Sequence, residues 1–257
     1  MDATFHLDVE DAVLALERLP GGVADLVVLD PGVSGRQHKV GAARRNKDKE
    51  AQRGATVAGF PAERWPSLLY EVMRVLAPGR VCWWVCETSQ AFVAARAAER
   101  MGFSLGAPMV WDRGEHQAVR LGFVLPLTRG RARSPGAELV AIPRPTAKES
   151  WPGELPEGLC RALIEAATEP GELVVDPFCG SGALGAAANL IGRRYLGVDR
   201  CELAVAASRA RIAAAGGHEV ALPALLGADD IVLTDTERAG SRGVGQLTIF
   251  SDAPRSA

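Results

Sequence analysis

Apolar positions along this chain fall into two alternating rhythms, short continuous runs and stretches of helical period, with glycine or proline at nearly every boundary. Ala12, Val13, Leu16 and Leu19 recur at three- and four-residue spacing before Pro20-Gly21-Gly22, which predicts a helix over Asp8 to Leu19. Asp25 to Asp30 is a continuous apolar run bounded by carboxylates and predicts a buried strand ending at Asp30-Pro31-Gly32. Residues 34–60 are polar and basic with little periodicity, as expected of a long mobile loop. Helical spacing returns over Ala62 to Leu76 and stops at Pro78-Gly79. Val81 to Val85 then predicts a strand, Ser89 to Met101 a helix and Ala107 to Trp111 a strand.

The rhythm weakens after Asp112. Leu121 to Leu127 reads as an edge strand, and residues 129–153, rich in Arg, Pro and Gly, as an insertion over the active face. It then recovers as a helix (Leu155 to Thr168), a strand (Leu173 to Asp176), a helix (Ser181 to Ile191), a strand (Tyr195 to Asp199), a helix (Glu202 to Ala215) and a short strand (His218 to Leu222). Strands alternating with helices predict an α/β fold with a doubly wound, mostly parallel sheet. One domain over residues 1–226 is the simplest count, followed by a polar, flexible tail over 227–257.

Composition narrows the setting. No run of roughly eighteen apolar residues is present, so no membrane span is expected, and the beginning of the chain lacks a charged-then-apolar leader, which fits a cytoplasmic protein. The five cysteines, Cys82, Cys86, Cys160, Cys179 and Cys201, lie mostly in apolar segments and fit buried thiols better than disulfides. Neither they nor His6, His38, His116 and His218 show ligand spacing, so no metal is expected. The formal net charge is −2, yet residues 36–53 carry seven basic side chains against two acidic ones, and so do residues 113–148. Two basic segments in an otherwise acidic chain suit a polyanion-binding cleft. Arg36, Lys39, Arg44, Arg45, Arg120 and Arg131 are the candidate nucleic-acid contacts.

The candidate chemistry centres on Leu173-Val174-Val175-Asp176-Pro177-Phe178-Cys179-Gly180-Ser181-Gly182. An apolar strand breaks into a glycine turn and then a helix, so backbone N–H groups can approach a ligand with no Cβ in the way. Asp199 follows Gly182 by 17 positions at the end of the next strand, where a carboxylate can accept both ribose hydroxyls of an adenosine. Gly180, Gly182 and Gly185 also spell G-x-G-x-x-G, so a dinucleotide is a second candidate. Too little chain follows Asp199 for the rest of a dinucleotide domain.

The Asp-Pro-Phe-x-Gly-Ser-Gly form resembles the S-adenosylmethionine loop of DNA amino-methyltransferases. The substrate motif precedes the cofactor loop, so the chain resembles the circularly permuted members, which modify adenine N6 or cytosine N4. The likeness runs from about Leu7 to Ile212 and rests on Ala24 to Pro31, Arg74 to Gly79, Val110 to Arg113, Arg144 to Lys148 and Asp176 to Asp199. It implies a Rossmann-like methyltransferase fold, S-adenosylmethionine as cofactor and DNA as partner. It also implies cofactor contacts from Asp176, Phe178, Gly180, Gly182 and Asp199, with Thr146 and Lys148 closing over the methionine end. Catalysis would fall to Asp30 and the Pro31 carbonyl, which accept the N–H bonds of the exocyclic amine and free its lone pair.

Where that family has a second proline and an aromatic residue, this chain has Gly32-Val33. The stacking platform for a flipped base must then come from elsewhere, with Phe60, Trp65 and Trp111 as candidates, or the chain acts as a catalytically impaired DNA-binding or partner subunit. The target-recognition insertion, taken as residues 114–144, is short, so a short recognition sequence or a second copy of the chain in a homodimer is expected. Gly245-Gln246-Leu247-Thr248-Ile249-Phe250 resembles the peptide by which bacterial replication and repair proteins dock on the sliding clamp.

Overall fold

In a computed structural model, residues 3–32, 37–40, 55–114, 121–130, 139–142, 151 and 153–227 are described, with backbone only at 37–40, 55–57 and 139–141. The elements run β1 (Thr4–Val9), α1 (Ala12–Glu17), β2 (Ala24–Leu29), β3 (Gln37–Val40), β4 (Ala55–Ala58), a 3-10 turn (Ala62–Arg64), α2 (Trp65–Val75), β5 (Leu76–Glu87), α3 (Thr88–Arg100), β6 (Ser104–Leu105), β7 (Met109–Asp112), β8 (Leu121–Thr128), β9 (Leu139–Ala141), α4 (Glu157–Glu165), β10 (Leu173–Asp176), α5 (Ala183–Leu190), β11 (Arg194–Asp199), α6 (Glu202–Ala214), β12 (His218–Glu219) and α7 (Leu222–Leu226).

The main sheet has the order β12-β1-β11-β10-β2-β5-β8-β7-β9, with β6 beside β8. All neighbours from β12 to β5 are parallel, and β8 runs antiparallel to both β5 and β7. Side chains alternate across the central strands. Val27, Leu29, Cys82, Trp84 and Val175 join Leu16, Leu68, Val72 and Ala94 of α1, α2 and α3 on one face. Leu26, Val28, Trp83, Val85 and Val174 join Leu159, Leu163, Ala187, Val205 and Ile212 of α4, α5 and α6 on the other. With both faces covered, the strands are near-continuous apolar runs, and the alternating pattern does give a doubly wound, mostly parallel sheet.

Several expectations change. Thr4 to Val9, not anticipated as a strand, forms β1 beside β11, with Phe5 and Leu7 buried and the intervening residues less so. The helix expected from Asp8 begins only at Ala12, where the Asp11 side chain accepts the Val13 N–H. Leu121 to Leu127 is an interior strand rather than an edge strand, because β7 and β9 continue the sheet beyond it, and the interval 114–144 supplies β8 and β9 to the sheet. The interval 34–60, read as aperiodic, holds the antiparallel pair β3 and β4. The short strand at His218 is only two residues long and gives way to α7, whose Leu225 and Leu226 are buried. No helix among the described residues is long and apolar enough to cross a membrane.

Candidate functional site

From β10 the chain crosses through α5 to β11 on one side, and from β2 through α2 to β5 on the other, so the crossovers diverge at the β10–β2 boundary. Outside the carboxyl ends of parallel strands, such a boundary is where a crevice opens. A cavity of about 290 Å³ lies there, lined among others by Asp30, Pro31, Phe60, Asp176, Phe178 and Asp199. Asp30 and Asp199 stand on different segments, yet folding brings both to one cavity with the turn after β10.

The turn is shaped by hydrogen bonds to its two carboxylates. Asp176 Oδ1 accepts the Phe178 N–H (3.1 Å) and Oδ2 the Tyr195 hydroxyl (2.9 Å). Burial pushes the Asp176 carboxyl up to about 7, against the lowering effect of those two bonds. Asp199 Oδ2 accepts the Gly180 N–H (3.1 Å) and Oδ1 the Cys201 N–H (2.9 Å). Burial raises its pKa as well. Each Asp199 oxygen keeps acceptor capacity for a ribose hydroxyl.

The glycines have separable reasons. Gly182 has φ +78°, and a Cβ there would lie 2.4 Å from Ser208 Oγ on α6. A Cβ on Gly185 would lie 2.5 Å from both Ile212 and Tyr195. The third glycine of G-x-G-x-x-G therefore serves the packing of α5 against α6 and β11. Of the two glycines expected to contact a cofactor, Gly180 lines the cavity and Gly182 does not, and the carboxylates beside Gly180 suit hydroxyl and cationic groups.

On the other side, Asp30 is half-buried and its charge is felt at Cys86 and Asp176. The Pro31 carbonyl accepts the Phe60 N–H (2.8 Å), which uses one of its two lone pairs. Gly32 adopts φ +67°, and a Cβ there would lie 3.5 Å from Gly59 Cα, so residues 59–60 run alongside 31–32. The Phe60 ring meets Phe178 edge to face at 5.4 Å and 69°, and the Arg64 guanidinium lies over it at 4.9 Å. Arg64 is itself fixed by Asp11 (2.7 and 2.8 Å). Of the three aromatic candidates, only Phe60 lines the cavity. Trp65 is buried against Trp84 (5.0 Å), and buried Trp111 donates to the Ile142 carbonyl (2.8 Å), so both are core residues.

Several residues have no role assigned from sequence. Glu10, Glu87, Arg113, Trp151 and Glu154 also line the cavity. The alternation of Phe5, Leu7 and Val9 could have disclosed β1, and with it Glu10 at its end. Nothing local to Glu154 signals that Ser181 and Arg211, 27 and 57 positions away, bind its carboxylate. Thr146, Lys148, Arg36, Arg44, Arg45, Arg120, Arg131 and the segment Gln246 to Phe250 lie outside the described residues, and of Lys39 only the backbone in β3 is described. All five cysteines are free and buried, and burial pushes the Cys86 thiol up to about 12, so it is not a nucleophile near neutral pH.

Comparison with known proteins places this geometry. The DNA methylase family model of the N6/N4 class matches residues 127–209, which span β8 to α6 and include the turn and Asp199. The YubD protein of Escherichia coli K12 is 28% identical over 214 residues, covering 79% of this chain and 88% of that protein. The type II methyltransferase M2.DpnII of Streptococcus pneumoniae is 42% identical over 55 residues, 20% of each chain. Among solved structures, TTHA0409 of Thermus thermophilus, complexed with S-adenosyl-L-methionine, shares the fold with a TM-score of 0.63 at 20% identity, over 85% of this chain and 100% of that one. The cytosine-N4-specific PvuII DNA methyltransferase does so with a TM-score of 0.63 at 16% identity, over 82% and 87%. Residues 127–209 of this chain thus resemble the N6/N4 DNA methylase family, and the fold that it shares with these solved structures agrees with that likeness.

Proposed function

We propose that this protein transfers a methyl group from S-adenosylmethionine to the exocyclic amine of adenine (N6) or cytosine (N4) in DNA. The observation that carries the reading is that Asp30, the turn from Asp176 to Ser181, and Asp199 line one cavity at the boundary where the crossovers diverge. Gly180 leaves room for the methionine part, Gly182 lets the turn close against α6, Asp199 accepts the ribose hydroxyls, and Thr146 and Lys148 belong to the segment that closes over the methionine end. Bound S-adenosylmethionine supplies an electrophilic methyl on a cationic sulfonium, a charge that the surrounding carboxylates favour.

An exocyclic base amine is a poor nucleophile because its lone pair is delocalised into the ring. Asp30 and the remaining lone pair of the Pro31 carbonyl accept its two N–H bonds, turning the nitrogen lone pair out of conjugation. As the nitrogen–carbon bond forms, the Asp30 carboxylate stabilises the positive charge on nitrogen and takes the proton it gives up. Phe60 replaces the aromatic platform missing at Gly32-Val33. It is bonded through its N–H to Pro31 and braced by Phe178, so its ring stands beside the two acceptors. Arg36, Lys39, Arg44, Arg45, Arg120 and Arg131 contact the DNA backbone in this reading.

Incubation with labelled S-adenosylmethionine and duplex DNA, followed by mass spectrometry of the nucleosides, tests the proposal. N6-methyladenine or N4-methylcytosine is expected from the wild type and none from Asp30→Ala, which should still bind S-adenosylhomocysteine. Cofactor binding with no methylated nucleoside from the wild type would refute the catalytic reading.

The same reading assigns the protein to the cytoplasm and to a homodimer that enlarges a short recognition surface, which sedimentation with and without DNA tests. Docking of Gln246 to Phe250 on a sliding clamp would raise its effective concentration at replicating DNA. Clamp binding should vanish in the double variant Gln246→Ala, Phe250→Ala, and a wild type that binds no clamp refutes the idea.

A further inference from the structure

Trp151 and residues 153–155 line the cofactor side of the cavity and are held there by one buried carboxylate. Glu154, with a side chain 9% exposed, accepts the Ser181 hydroxyl at Oε2 (2.7 Å) and the Trp151 N–H at the same oxygen (3.2 Å). Its Oε1 pairs with Arg211 on α6 (3.1 Å), and Arg211 also donates to Ser181 Oγ (3.2 Å). The Glu154 N–H returns to the Trp151 carbonyl (3.1 Å), closing a tight turn. Ser181 belongs to the glycine turn itself, so the turn, the strap and α6 share one hydrogen-bonded knot.

The knot fixes the position of Trp151. Its indole packs on Cys201 and Ala204, which begin α6 just beyond Asp199. Trp151, Asp199, Arg200 and Ala204 all line the cavity. The other four tryptophans, Trp65, Trp83, Trp84 and Trp111, are fully buried in the core, whereas Trp151 keeps a partly open face.

We propose that Trp151 is the wall against which the adenine ring of the cofactor stacks, and that Glu154, through Ser181 and Arg211, is the residue that positions it. The inference rests on the reading of this cavity as the S-adenosylmethionine site. A ribose held by Asp199 presents its base beside the α6 N-terminus, and an indole there offers a flat apolar face. The strap also covers the ring from solvent. Aromatic stacking of this kind is worth roughly five- to hundredfold in affinity.

S-adenosylhomocysteine, which carries the adenosine and no reactive methyl, is the probe, with 5′-methylthioadenosine as the adenosine half alone. Titration into the wild type should change intrinsic tryptophan fluorescence, and the change should be absent in Trp151→Phe while calorimetry still registers binding. Trp151→Ala should weaken both probes in parallel by roughly tenfold or more, and Glu154→Gln should weaken them by less. Unchanged affinity of Trp151→Ala for both probes, or calorimetric binding to the wild type with no fluorescence change, overturns the assignment. A wild type that binds neither probe by either measurement overturns the cofactor reading itself. Trp151→Phe keeps the test usable if the alanine variant fails to fold.

Discussion

On the β10–β11 side of the crevice the shape is held by backbone. Two carboxylates accept four hydrogen bonds, three of them from N–H groups of the turn and the residues after β11, and Gly182 lies against α6 with no space for a side chain. On the β2 side the shape is assembled from distant side chains. Asp30 and Pro31 end one strand, and Phe60 arrives from beyond the β3–β4 pair, with Arg64 and Asp11 bracing it from two further segments. The first arrangement admits almost no substitution. The second tolerates replacement of parts, so an aromatic ring can reach the cavity from a segment other than the one that carries Asp30 and Pro31.

Gly182→Ala against Gly32→Ala breaks the comparison most sharply. Both glycines have positive φ, so either alanine incurs about 1–2 kcal/mol of backbone strain. At Gly182 the new Cβ also meets Ser208 Oγ at 2.4 Å and its Cα at 2.7 Å, and since backbone cannot yield cheaply, the total should exceed about 3 kcal/mol and abolish cofactor binding. At Gly32 the nearest atom is 3.5 Å away and only the strain remains. Thermal melting and S-adenosylhomocysteine calorimetry of the two variants measure the contrast; equal losses would mean the two sides are equally rigid.

The Asp176 carboxyl gives the next largest effect. Burial raises its folded-state pKa from 3.8 to about 7, so between those values the folded protein binds the proton more tightly than the unfolded chain. Stability from this group is therefore fully present below about pH 4 and declines as pH rises to about 7, by at most about 4 kcal/mol. Asp176→Asn should match the wild type near pH 4 and melt at a higher temperature at pH 8. In the wild type, affinity for the cationic cofactor should rise as pH increases through 7, because the deprotonated carboxylate attracts the sulfonium. A flat affinity profile across pH 6 to 8 would show that Asp176 is already ionised in the site.

This difference in construction also explains what can be read from the sequence. The β10 strand, the Asp-Pro-Phe turn, α5 and Asp199 lie within 27 consecutive positions, so strand pattern, glycine spacing and the acidic residue are all visible in one window. Asp30 is visible because it ends an apolar run. Phe60 stands among three candidates, all of them buried, until the cavity separates them, since apolar pattern cannot distinguish a cavity wall from a core residue. β8 reads wrongly as an edge because it inserts between β5 and β7, pairing antiparallel with both, an order that the sequence of elements does not reveal. The strap at Trp151 is invisible for the same reason, as the groups that fix Glu154 lie on the glycine turn and on α6.

The smallest expected effect sharpens the substrate side. Phe60→Leu preserves apolar volume near Pro31 and keeps the backbone hydrogen bond, but removes the flat face and its edge contact with Phe178. If Phe60 is the platform for the flipped base, the loss should appear as about a five- to tenfold rise in the KM for DNA, roughly 1 kcal/mol, with kcat less affected. Affinity for S-adenosylhomocysteine should hardly change, because no hydrogen bond of the β10–β11 side involves the ring. Phe178→Leu is the matched control: its backbone N–H caps Asp176, but its ring faces both halves of the crevice, so cofactor affinity should fall and the KM for DNA rise together. Should Phe60→Leu instead weaken the cofactor as much as the DNA, the two halves of the crevice would share one platform and the division between them would fail.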